Sequence, residues 1–242
     1  MENVFEASIA GHPVRYAFHY PKTRLFFRSW LKPCIDAADV IARPEEIARA
    51  HAMMPEENAE DYAEFKALIG CTARYLLRFD CTIFHAVAFL WQGRAWLLTA
   101  PSGTGKTTQF MNWRKLNPAE ITMISGDMPV LELRDNEVWV HPSPWNGKEA
   151  VGSFLSAPLG GVVLLEQDKE NCMERLAPRS AIEKFFGQFT FDPETEEEIL
   201  GLCRILDGIL ANTPTGKLSN KGDLASTKLL RETLSGGSYE EV

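Results

Sequence analysis

The chain has 242 residues with a hydrophobic content of 45%, enough for one sizeable core or two small ones. Its 33 acidic against 25 basic residues give a net charge of -8, which argues against a broad electrostatic footprint for nucleic acid or an anionic membrane. No apolar run has the length of a membrane span, and MENVFEASIAGH lacks a basic region followed by an apolar signal core, so a cytoplasmic protein is expected.

In chain order, NVFEASIAGHPVRYAFHY alternates around Gly11-His12-Pro13 and predicts a hairpin. Residues 44 to 61 are rich in Pro, Glu and Met without a strand period. Tyr62, Phe65, Ile69 and Leu76 then recur at helical spacing, predicting a helix that ends near Asp80. CTIFHAVAFL and RAWLLTA read as paired strands around Trp91-Gln92-Gly93, and a helix of about ten residues follows from Lys106, stopping before Pro118.

ITMIS and PVLELRDNEVWVH predict further strands, the latter turning at Asp135-Asn136, and GGVVLLEQ (160–167) a buried strand. One helix opens near Pro178. Another is announced by Asp192-Pro193 and ETEEE, with Ile199, Leu202, Ile205, Leu206 and Ile209 beneath it. A last helix, DLASTKLLRETL, is capped by Asp223, and the tail GGSYEEV is expected to fray. No linker divides the chain. It reads as one domain over 1–242, with an N-terminal hairpin and helix in 1–80 and a core in 81–235. The five cysteines, Cys34, Cys71, Cys81, Cys172 and Cys203, form no C-x-x-C pair, which speaks for buried thiols rather than a zinc knuckle or a disulfide framework.

The chemistry concentrates in WLLTAPSGTGKTTQF. APSGTGKT (100–107) follows the phosphate-loop pattern G-x-x-x-x-G-K-[ST], with Ala100 in place of the first glycine. Gly103 and Gly105 permit the dihedrals that turn backbone N–H groups inward, together with those of Ser102 and Thr104, and the following helix adds its positive end. Lys106 is expected to reach the β- and γ-phosphates of a nucleotide and Thr107 to offer its hydroxyl to Mg²⁺. Thr108 serves helix packing or a further phosphate contact. Such a loop needs a carboxylate at the end of a neighbouring strand, and ITMISGD offers Asp127; the alternative is an ordinary turn aspartate beside Gly126 and Pro129. His85, inside an apolar strand, reads by itself as a hydrogen-bonded core residue.

IFHAVAFLWQGRAWLLTAPSGTGKTT, TMISGDMPVLEL and HPSPWNGKEAV together resemble the P-loop kinases of the HPr kinase/phosphorylase and ATP-dependent phosphoenolpyruvate carboxykinase superfamily, over roughly residues 80 to 190. The resemblance implies an α/β P-loop domain whose mixed, largely antiparallel sheet is flanked by helices. It makes His85 an active-site candidate and Asp127 the metal-associated acid of a usual Asp-Asp pair; here Met128 stands at the second position and cannot accept a proton. SPWNGKE resembles a Pro-Trp-x-Gly-Lys segment of small HPr-kinase-like proteins. In it Trp145 offers a stacking face and Lys148 a cation, unless they are a buried tryptophan beside a surface lysine.

The chain is too short for a carboxykinase and lacks arginine-rich segments for oxaloacetate. The implied activity is Mg-ATP-dependent phosphoryl transfer to a hydroxyl of a small-molecule, peptide or protein acceptor, with catalysis by Lys106, Asp127 and His85. The alternative is an ATP-binding accessory protein with little turnover, which Met128 favours. Superfamily members assemble variously, which leaves a homo-oligomer open. Asn220-Lys221-Gly222-Asp223 spells the N-K-x-D of GTPases, but no strong apolar strand precedes it in the sequence, so Asp223 reads as a helix cap and ATP is expected over GTP.

Overall fold

The computed structural model describes residues 4–53, 59–146 and 152–236. The N-terminal part is a hairpin of β1 (Val4–Ile9) and β2 (His12–Ala17), to which β3 (Ala38–Val40) adds in parallel. Its two-residue turn is Ala10-Gly11, with φ of 50° and 86°, one residue earlier than the sequence predicts. A 3₁₀ segment, Pro21–Trp30, links β2 towards β3.

α1 (Pro44–Ala52) forms where the sequence shows no period. Pro44 sits in its first turn, the Glu46 carboxylate accepts from the Arg43 backbone N–H, and Ile47 alone is buried, so local start signals make the helix and no apolar stripe announces it. α2 (Glu60–Leu76) buries Phe65, Leu68, Ile69, Ala73 and Leu76, and a 3₁₀ turn carries it to Asp80, whose φ of 51° ends it as expected. Inside α2, Glu64 is fully buried and accepts from His19 N, Tyr20 N and Thr23 Oγ1 at 2.6, 3.1 and 2.6 Å. That carboxylate ties the helix to the segment following β2.

The rest is one large mixed sheet. The apolar run at 81–90 is not one strand: it breaks at Phe84-His85 into β4 (Cys81–Ile83) and β5 (Ala86–Trp91). β6 (Arg94–Thr99), α3 (Lys106–Leu116), β7 (Thr122–Ser125), β8 (Val130–Arg134), β9 (Glu137–His141) and β10 (Ala157–Gln167) follow. After them come β11 (Cys172–Arg175), α4 (Pro178–Phe186), α5 (Glu196–Asn212), β12 (Thr215–Asn220) and α6 (Leu224–Leu234). The sheet order is β4-β8-β9-β10-β6-β5-β7. β10 runs past β9, and its second half pairs with β12, which in turn pairs with β11. β10 is parallel to β6 and β12, and the other pairings are antiparallel. The sheet is thus mixed and largely antiparallel, as the resemblance implies.

Strands β5 and β10 are buried on both faces and therefore read as continuous apolar runs. On one face Ala86, Ala88, Leu97, Val162 and Leu164 pack with Phe185, Leu202, Ile205, Leu206 and Ile209 of α4 and α5. On the other, Val87, Phe89, Leu98, Val163 and Leu165 pack with Phe110, Trp113 and Leu230 of α3 and α6. A third cluster joins β1, β2 and α2 to Ile83, Val130 and Trp145, so the N-terminal part shares a core with the large sheet.

Several expectations need correction. Ile199 is 43% exposed rather than core, and α5 starts at Glu196 with Thr195 as its cap, past Asp192-Pro193. β3, β11 and β12 carry no apolar alternation of their own and are strands through pairing with their neighbours. Among the cysteines Cys81 is buried and the other four are partly exposed. Apart from Gly236, the tail expected to fray lies outside the described residues. No helix among the described residues is long and apolar enough to cross a membrane.

Candidate functional site

The loop from Ala100 to Gly105 joins the end of β6 to the start of α3. Gly103 and Gly105 have φ of 81° and 108°, which an L side chain adopts only with strain, so both glycines meet the conformational demand read from the sequence. A Cβ at Gly103 would meet nothing within 4 Å, so backbone conformation and not crowding requires the glycine there. The Thr104 backbone N–H and hydroxyl both donate to Pro101 O, at 3.4 and 2.9 Å. Ser102 and Gly103 are exposed, Thr104, Gly105 and Thr107 half-buried, and Thr108 exposed, which removes the packing role weighed for Thr108.

Lys106, the first residue of α3, is 8% exposed and curls back, Nζ donating to Ala100 O at 2.8 Å and Pro101 O at 3.3 Å. Burial lowers its pKa, and the charge of Asp127 partly opposes that shift. No acidic residue lies in the first turn of α3, so its N-terminal dipole meets no carboxylate of its own helix.

Sheet topology brings the other groups to this edge. β5 runs antiparallel to β6 with Ala86 opposite Thr99, so the start of β5 lies beside the end of β6. β7 runs antiparallel to β5 with Ser125 opposite Ala88, so its end arrives at the same place. The break at Phe84-His85 is fastened on all sides: Phe84 N donates to Pro129 O, His85 N to Gln188 O, Ala86 N to Asp127 O, and Thr99 Oγ1 to His85 O. His85 is consequently a sheet-edge residue, 22% exposed at its side chain, rather than a mid-strand core residue.

His85 Nε2 lies 3.4 Å from Asp127 Oδ1, and Lys66 Nζ of α2 lies 3.9 Å from Asp127 Oδ2. Burial pushes the Asp127 carboxyl upward, but the hydrogen bond from His85 and the charges of Lys66, His85 and Lys106 together hold it below its ordinary value. The turn reading of Asp127 is compatible with this position; the two lysines and the histidine that face it are what a bare turn does not require.

Met128 packs against the N-terminal core, with its backbone fixed by Trp145 O and Ser143 Oγ. Trp145 is 1% exposed, donates Nε1 to Phe65 O at 2.8 Å, and lies against Phe27 and Phe65. The buried-tryptophan reading therefore holds, and a free stacking face does not. Lys148 lies outside the described residues.

Lys66 and Trp145 also line a cavity of about 810 Å³ with Phe26, Arg28, Tyr62 and Asn146. A second, of about 380 Å³, lies beside the loop between Thr104, Glu166, Gln167, Lys184 and Gln188. Sequence reasoning missed Lys66, Lys184 and Gln188: Lys66 is partly buried on α2, Lys184 is exposed on α4 and Gln188 follows the end of α4, and nothing local marks them.

The N-K-x-D tetrad begins at the last residue of β12, TGKLSN, a strand but not the strong apolar one whose absence the sequence shows. Its side chains are occupied: Asn220 bonds Gln109, Glu166 O and Gly222 N, while Asp223 caps α6 through Ser226 N and accepts from Asn171.

No protein-family model matches this chain. No curated protein matches it. Among solved structures it is similar to the HPr(Ser) kinase/phosphatase from Coxiella burnetii at 14% identity, over 64% of this chain and 94% of that one, with a TM-score of 0.35. The likeness is a distant one.

Proposed function

We propose that the chain is a Mg-ATP-dependent kinase that transfers the γ-phosphoryl group to a hydroxyl of an acceptor. The observation that carries this reading is the meeting of Asp127, His85, Lys66 and Lys106, from four separate segments, at the sheet edge that bears the glycine loop. The loop fits a phosphate chain: two positive-φ glycines, open space above Gly103, and a helix N-terminus free of acids.

In this mechanism Lys106 exchanges its two carbonyl acceptors for phosphate oxygens and offsets charge on the leaving group. Thr107 and Asp127 would hold Mg²⁺, which when bound would supply further neutralisation of the phosphates. Asp127, kept ionised, and His85 orient the acceptor hydroxyl. Lys66 faces both Asp127 and the larger cavity, so an acceptor seated there brings its hydroxyl towards the carboxylate. Aromatic walls with Arg28 and Lys66 suit an acceptor having an apolar body and an acidic group.

Calorimetric titration with Mg-ATP, Mg-GTP and Mg-ADP, followed by ADP formation with and without cell extract, tests the proposal. Selective ATP binding with extract-stimulated turnover supports it. Met128 in the N-terminal core favours a second reading, an ATP-binding accessory protein, because it presents no base. Tight binding without turnover, in the wild type and in Met128→Asp, selects that reading.

A further inference from the structure

Cys81 starts β4, whereas His85 of the candidate site follows its end, and at that start His12, Cys81 and Glu132 converge, with a His12 ring nitrogen, Cys81 Sγ and a Glu132 carboxylate oxygen all within 4.8 Å of one another. We infer that these three residues form a binding site for a zinc-class divalent ion that clasps the N-terminal hairpin to the large sheet. This site is independent of the proposed phosphoryl transfer.

The fold itself builds the arrangement. Cys81 on β4 and Glu132 on β8 are directly opposed in an antiparallel pair, so their side chains leave the sheet on the same face. His12 begins β2 immediately after the hairpin turn and reaches them from the other sheet. Its ring is stacked on Phe79 at 4.1 Å and 11°, which fixes the plane from which Nε2 points at the thiol.

The donor set is the mixed N, S and O set that suits zinc. A tetrahedral centre with Zn–N and Zn–S bonds of about 2.0 and 2.3 Å separates those two donors by about 3.5 Å. His12 Nε2 and Cys81 Sγ are 3.5 Å apart. The carboxylate also has the outer partner that ligating carboxylates usually have: His141 Nε2 lies 2.9 Å from Glu132 Oε2, and its Nδ1 lies 2.9 Å from Ser156 Oγ. Cys81 is buried, which protects a coordinated thiolate from oxidation, while His12 and Glu132 are partly exposed and leave an entry path and a fourth position for water. Coordination replaces the thiol proton, which passes to solvent. The competing description is a metal-free cluster in which the thiol donates to Phe79 O at 3.3 Å.

The test is titration of chelator-treated full-length protein with Co²⁺ and Zn²⁺. One equivalent of Co²⁺ should give tetrahedral d–d bands and a thiolate-to-cobalt charge-transfer band, reversed by Zn²⁺, and Zn²⁺ should raise the melting temperature. Cys81→Ser should abolish the charge-transfer band, and His12→Gln, at the rim of the hairpin, should abolish stoichiometric binding. His141→Ala should weaken Zn²⁺ binding about 10- to 100-fold. Asp127→Asn should leave the cobalt spectrum unchanged, separating this site from a metal at the glycine loop. Absence of the charge-transfer band in the wild type, or a Co²⁺ spectrum that His12→Gln leaves intact, overturns the assignment. Should Cys81→Ser fail to fold, the wild-type spectrum and His12→Gln decide alone.

Discussion

His85 Nε2 stands 3.4 Å from Asp127 Oδ1, and the pair exists because the chain leaves the sheet at Phe84-His85. An unbroken strand would continue its pleat through His85 and direct alternate side chains into the two cores that flank it. The break takes Phe84 and His85 out of the β4 and β5 ladders, and Pro129 O and Gln188 O accept from their backbone N–H groups instead.

The first prediction concerns that pair. Asp127 is held below its ordinary value, so its ionised form prevails at neutral pH and is lost only as pH falls through the depressed folded-state pKa. The stabilisation linked to it is present above the ordinary carboxylate range and disappears in the same acidic window. His85→Ala removes the hydrogen bond and should move the titration of the Asp127 carboxyl to higher pH, read by carbon NMR and by the acidic limb of turnover. An unchanged midpoint would show that the two groups are uncoupled.

Lys106→Ala should weaken Mg-nucleotide binding about tenfold to a hundredfold, the worth of a charge-assisted hydrogen bond. Because Nζ, among the described residues, bonds only carbonyls of its own loop, the melting temperature should change little. Calorimetry and a thermal scan on the same sample check both statements. Retained affinity would remove the loop from nucleotide binding altogether.

Glu64→Gln leaves one acceptor oxygen for three donors of the segment following β2 and should destabilise the protein by about 1–3 kcal/mol. Denaturant unfolding measures this, and a loss below about 0.5 kcal/mol would mean the segment finds other acceptors.

Gly161 sits in β10 where a Cβ would lie 2.7 Å from the Trp96 ring and 2.8 Å from Pro214 O. Gly161→Ala should cost about 1–3 kcal/mol by overpacking. Gly187→Ala, whose Cβ would come no nearer than 3.8 Å to a neighbour, should be tolerated; equal losses would show that crowding at Gly161 is relieved by movement of the Trp96 ring.

Much of this protein was legible from neighbouring residues alone. The glycine loop with its flanking strand and helix, the turns at Gln92-Gly93 and Asp135-Asn136, the Asp223 cap and the continuous apolar strands follow from local backbone preference and hydrophobic period, which act over a few residues. Local signals also misled: CTIFHAVAFL has the composition of one strand, and TGKLSN that of none. Which sheet neighbour takes each segment is decided by pairing across distant parts of the chain, so the break at His85 and strand β12 belong to the tertiary structure. The same holds for Lys66 beside Asp127, for Trp145 against Phe65, and for His12 beside Cys81 and Glu132. Sequence set the chemistry each residue carries. The folded sheet decided which of those chemistries meet, because its register brings together groups that no local spacing relates.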